Sequence, residues 1–162
     1  MSAHLVAVDA LLARPFGQSW EHDVRWRKSG DDFYVLPLHV SRDFRDPGDD
    51  PDVMRRTDAE LTGELDRLSE ALDRRWGAHR PRSMYDVYVA YTNGEPLPPL
   101  LRALASSGFF GDLRVWRTGD GRWLVAGVGQ EDEEEPMVLF AGLTGSAEGF
   151  DAEGFEAEGR TG

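Results

Sequence analysis

The sequence predicts an α+β domain: one mixed, mostly antiparallel sheet of five to six strands, with a long helix and a shorter helix packed on one face. Three observations lead there. A leucine series between residues 57 and 77 keeps helical spacing, several shorter stretches alternate with period two, and a Gly-Asp-Gly turn joins two of those stretches.

The long helix is the best-marked element. Thr57 and Glu60 stand at the T-x-x-E spacing of a capping box, where the hydroxyl satisfies an orphan N–H and the carboxylate reaches back to another. Leu61, Leu65, Leu68, Leu72 and Trp76 then recur every three or four residues along one side. Asp58, Glu60 and Glu64 crowd the first turns and Arg74 and Arg75 the last, as the helix dipole favours, and Gly77 suits the left-handed closing residue. Each fully buried Leu contributes roughly 1.5–3 kcal/mol, so this face must pack on something large.

Taken in order, Ala3 to Ala13 carries Leu5, Val6, Val8, Leu11 and Leu12 at spacings that suit a short amphipathic helix, ended by Pro15 and Gly17. From Trp20 to Lys28 the period becomes two: Trp20, His22, Val24 and Trp26 against Glu21, Asp23, Arg25 and Arg27, a half-buried strand. A turn at Ser29–Asp32 leads to a second strand, Phe33 to Ser41, apolar on both sides, in which Pro37 demands an edge or a bulge. These two are expected to form a hairpin. A polar loop from Arg42 to Arg56 follows, dense in turn formers. Met84 to Tyr91 alternates again and reads as a strand, with Asn93-Gly94 as its turn. Pro98-Pro99 opens a short helix bearing Leu100, Leu101 and Leu104, closed by Gly108. That crossover would allow Met84–Tyr91 and the next strand, Leu113 to Arg117, to run parallel. Leu113–Thr118 and Arg122–Gly129 flank Gly119-Asp120-Gly121 as the clearest hairpin, and Met137 to Leu143 is a last apolar strand beyond a charged loop, Glu131 to Glu135. Residues 1–143 thus make a single α+β domain. Residues 144–162, where Ala-Glu-Gly-Phe units recur every five positions, make an acidic, Gly-rich tail expected to be flexible.

Composition bounds the function. At 162 residues one domain with a sizeable core is expected, and the formal charge of −12 repels nucleic-acid phosphates while favouring encounters with basic partners. With no cysteine, disulfides, Cys-ligated zinc, iron–sulfur clusters and thiol nucleophiles are all excluded. Residues 1–17 lack the pattern of a secretory signal, because Asp9 divides the apolar residues, and Met137–Leu143 is too short to span a bilayer. The expectation is a cytoplasmic protein with no membrane or nucleic-acid partner.

Candidate chemistry is sparse. His4, His22, His39 and His79 never fall at H-x-H or H-x-x-x-H spacing, so no two chelate a metal from one helix or strand, and no metal or cofactor is expected; His22 and His39 are placed to face each other across the first hairpin. Asp43, Asp46, Asp49, Asp50 and Asp52 do not match a calcium loop. Arg74, Arg75, His79, Arg80 and Arg82 form the one basic cluster, an anion-binding candidate or simply a complement to the helix end. Gly127-Val128-Gly129 lacks the third glycine of a dinucleotide fingerprint. Trp20, Trp26, Trp116 and Trp123 all fall on expected strands, Trp116 opposite in face to Leu113 and Val115. They form either an exposed aromatic patch for a protein partner or a surface covered by a second layer such as the N-terminal helix. The reading preferred is a non-enzymatic binding or regulatory protein acting on a basic protein partner, in the manner of an inhibitor or immunity protein. The alternatives are a small-molecule sensor or hydrolase with a pocket between sheet and long helix, and a structural component of a larger assembly.

Overall fold

The computed structural model describes residues 2–22 and 24–150. Among them the chain forms α1 (Ala3–Ala13), β1 (Lys28–Ser29), β2 (Phe33–Val40), α2 (Val53–Trp76), β3 (Arg80–Arg82), α3 (Tyr85–Thr92), α4 (Pro99–Ser106), β4 (Leu113–Arg117), β5 (Trp123–Gln130) and β6 (Met137–Thr144). The strands make one sheet in the order β1-β2-β6-β5-β4-β3, and every neighbouring pair is antiparallel.

The sheet separates two layers of helix. On one face Val8 and Leu11 of α1 and Leu61, Leu65, Leu68 and Leu72 of α2 pack against Tyr34, Trp116, Leu124, Leu139 and Leu143. The long helix with a shorter one beside it is therefore as the leucine spacing requires. On the other face Met84 and Val87 of the α3 region and Leu100, Leu101 and Leu104 of α4 pack against Val35, Val115, Trp123, Val125 and Phe140. All eight residues of β6 are buried. A strand covered on both sides reads as a continuous apolar run, which is why Met137–Leu143 showed no alternation.

Gly127-Val128-Gly129 has a packing explanation. A Cβ on Gly129 would lie 2.5 Å from ring carbons of Phe109, and Phe109 stacks on Phe140 with centroids 5.1 Å apart. Gly129 therefore admits the ring of Phe109 against the strand.

Several expectations need correction. The long helix begins one turn earlier than Thr57, at Val53, and Thr57 Oγ1 donates to the Val53 carbonyl 2.8 Å away instead of capping. Trp20–Lys28 is not a strand: only Lys28 and Ser29 pair with β2, and the backbone reverses at Trp26, whose φ is +66°. Such a left-handed residue cannot continue a strand. Met84–Tyr91 is helical, so no parallel pairing exists, and β4 has β3 as its neighbour instead. Pro37 does sit at an irregularity, the register shifting between Pro37 and His39. Since β1 pairs only with Tyr34 and Val35, the Pro37 side of β2 is an open edge. Finally, the domain extends past residue 143. Thr144 pairs with Phe33 and Trp123, and Phe150 is buried against Trp123 with ring centroids 6.1 Å apart. The rest of the expected tail, 151–162, lies outside the described residues.

Candidate functional site

Trp20, Trp26, Trp116 and Trp123 do not make an exposed patch. Trp26, Trp116 and Trp123 are each at most 8% exposed. The covering second layer is the arrangement found, with Trp26 and Trp123 on the α4 side and Trp116 under α2. The Trp116 indole N–H donates to Asp73 Oδ1 at 2.8 Å. Trp20 is half-buried beside Tyr34, and the guanidinium groups of Arg14 and Arg27 stand 3.8 and 4.6 Å from its ring centre.

Nor does the basic cluster converge on an open anion site. Arg75 pairs with Asp9, which lowers the Asp9 pKa and raises that of Arg75. His79 is held by Asp73, through its backbone N–H at 2.9 Å and its Nδ1 at 3.0 Å. Arg82 bonds Asp86 and the Gly149 carbonyl, so it anchors the segment that carries Phe150. Arg80 lies in β3 opposite Val115, and Arg74 borders a groove between α1 and α2. The acidic loop is likewise spent locally: Asp49 pairs with Arg42, Asp50 with Arg56 and Asp52 with Arg55, while Asp46 accepts the Gly48 N–H.

Three other features emerge. The first is the outer face of α3. Tyr85, Tyr88 and Tyr91 recur every third residue and are 73%, 47% and 38% exposed. Phe110 lies edge-on to Tyr88 at 5.1 Å and 6.3 Å from Tyr91. Met84 and Val87 turn inward, so burial follows a period near three and not two. The helix is entered through Ser83, whose Oγ accepts the Tyr85 N–H at 3.1 Å. Asp86 in the first turn is a helix-start signal carried by this stretch.

A second feature is a cleft of about 590 Å³ between the 19–29 segment and α4, bordered by Trp20, Arg27, Lys28, Phe33, Arg102 and Ser106. Lys28 Nζ donates to Ser106 Oγ at 2.7 Å, and burial pushes the Lys28 pKa down against the opposing charge of Glu131. The buried Trp20 Nε1–H and Arg27 Nε–H have no hydrogen-bond acceptor, while Arg27 Nη2 donates to the His22 carbonyl. This pocket lies on the α4 side, not between the sheet and the long helix.

The third is a meeting of three elements. His4 of α1 and His39 of β2 both contact Glu64 of α2, His4 Nε2 to Oε1 and His39 Nδ1 to Oε2, each at 2.7 Å. Burial works to raise the Glu64 pKa, but its bonds to the two imidazoles outweigh it and the net shift is downward. His22 is not opposite His39, whose neighbour in the sheet is Leu139. His4 and His39 lie far apart in sequence, beyond any chelating spacing within one element, and only the packing of α1 and β2 on α2 brings them together.

Among the described residues no helix is long and apolar enough to cross a membrane. Compared with protein-family models, curated proteins and solved structures, the chain matches none of them.

Proposed function

We propose that this chain is a non-enzymatic binding protein that engages a basic protein partner through the tyrosine face of α3. The observation that carries the reading is the exposure of Tyr85, Tyr88 and Tyr91 on one short helix beside Phe110. Tyrosine offers large, rigid contact area at low entropic cost and is enriched where partners meet. The formal charge of −12, with the exposed Glu95 just after this helix, favours a cationic partner. An inhibitor or immunity protein acting on a basic enzyme has this chemistry.

The test is co-purification from the source cells with wild-type chain and with a Tyr85→Ala/Tyr88→Ala variant whose fold is verified by circular dichroism. Wild type should retain a basic protein that high salt releases, and the variant should bind it at least about tenfold more weakly, since a buried tyrosine anchor is worth more than about 1 kcal/mol. Equal capture by both chains, or capture of no protein, overturns the reading.

The cleft supports a second reading, binding of a small anion by Arg27, Lys28 and Arg102. Millimolar inorganic phosphate should then raise the melting temperature of wild type and not of a Lys28→Ala/Arg102→Ala variant. No rise in wild type refutes it.

A further inference from the structure

We infer that His4, Glu64 and His39 form a binding site for one divalent metal ion of the zinc class. The three residues are separated in sequence by 60 and 25 positions and come from three elements, yet one nitrogen of each imidazole and a carboxylate oxygen all lie within 4.8 Å of one another. Ligands held roughly 2.0–2.1 Å from a tetrahedral ion stand about 3.4 Å apart. The two nitrogen–oxygen distances of 2.7 Å therefore need to open by less than an ångström to admit the ion. His39 is free to make that adjustment, because its side chain is 44% exposed on the open edge of β2.

The donor set selects the ion. Two imidazoles and one carboxylate suit zinc and its neighbours, whereas calcium and magnesium require mostly oxygen. Three protein ligands leave a fourth position for water, the arrangement of an open site and not of a closed structural one. Solvent reaches it from both sides, along a groove of about 550 Å³ beside His4 and another of about 330 Å³ beside His39. Arg67 and Arg74 border the first groove and Arg56 the second. Their charge weakens the hold on a bare cation and favours an anionic group at the fourth position. A bound ion would also tie α1 to α2 and β2 through its ligands.

The competing explanation is a carboxylate bridging two imidazole N–H groups with no metal involved, and the experiment separates the two. Untagged full-length chain, stripped with chelator, is titrated with Zn²⁺ at pH 7.5 against a chromophoric competitor, and with Co²⁺ to record the visible absorption of a tetrahedral site. The expected result is one Zn²⁺ per chain, with affinity falling at least tenfold in His39→Ala and in His4→Ala and unchanged in His22→Ala and His79→Ala. His39→Ala removes an exposed side chain and leaves the fold intact, so its loss of binding reads the site directly. Absence of Zn²⁺ binding, binding that survives His39→Ala, or equal losses in the His22→Ala control would each overturn the assignment.

Discussion

Asp73 offers the sharpest test of how the long helix is fastened to the sheet. Its carboxylate accepts the Trp116 indole N–H at 2.8 Å, the His79 backbone N–H at 2.9 Å and His79 Nδ1 at 3.0 Å. Trp116 is 1% exposed, so Asp73→Ala strands a buried donor, which costs about 1–3 kcal/mol. The bonds to His79 add less, because the Asp73 side chain is 32% exposed and water replaces part of them; about 1 kcal/mol is a fair ceiling. The variant should therefore lose roughly 1–4 kcal/mol in urea unfolding followed by circular dichroism at pH 7. Asp73→Asn keeps an acceptor for the indole and should lose less than about half of that. The sign of the pH dependence is fixed as well. Burial works to raise the Asp73 pKa, but the bonds from Trp116 and His79 prevail and leave it below its ordinary 3.8. A carboxylate whose folded pKa is lowered stabilises fully above its unfolded pKa and loses that contribution as pH falls through the folded value. The gap between wild type and Asp73→Ala should accordingly narrow below about pH 4. A loss under about 0.5 kcal/mol at pH 7, or equal losses in the Ala and Asn variants, would refute the reasoning.

Three further outcomes follow from packing and charge. Leu68→Ala, at 2% exposure in the α2 interface, should cost about 2–5 kcal/mol by chemical denaturation. Gly129→Ala forces the Phe109 ring away from β5 and should cost about 1–3 kcal/mol, whereas Ala at Gly63, inside α2 where a Cβ meets only the Arg67 guanidinium at 3.6 Å, should stabilise by about 0.4–1 kcal/mol. Asp120, bonded to Arg122 and Thr118 in the β4–β5 turn, has its pKa lowered to about 2; NMR titration should find it there, with the turn's stability falling as pH drops from 3.8 through that value, and Arg122→Ala should return it towards 3.8.

How much of this was legible in the sequence divides along a physical line. Elements whose pattern had only one interpretation were found: Leu61–Leu72 for α2, the Gly119-Asp120-Gly121 hairpin, Pro99 at the start of α4 and the apolar β6. The failures lay in short alternating stretches. Met84–Tyr91 carries Val and Tyr at every second position, but Met84 and Val87 are also three apart, and eight residues cannot separate the two periods. Asn93-Gly94 did not arbitrate, since a residue at φ +70° ends a helix as readily as it turns a hairpin. Trp20–Lys28 failed for a different reason: Trp26, buried near Phe109, takes a positive φ that no local pattern specifies. The candidate sites were the least legible of all. Tryptophans on strands do not tell which faces helices will cover, and here α3 and α4 cover the face that holds Trp26 and Trp123.

Charge and aromatic surface do different work in the proposed complex, which is why neither alone identified it. With 30 acidic residues against 18 lysines and arginines, pairing every cation would still leave twelve carboxylates uncompensated, so the field of the molecule is negative whatever ion pairs form. That field reaches about 8 Å at physiological ionic strength and acts on the encounter, so added salt slows association with a basic partner. Tyr85, Tyr88 and Phe110 act only after contact, by excluding water over a small area, so their removal speeds dissociation. An acidic surface without those rings would attract cationic proteins without holding any one of them. The rings without the field would hold a partner they met too seldom. In the proposed complex the α3 face supplies the rings and the net charge of the whole chain supplies the field.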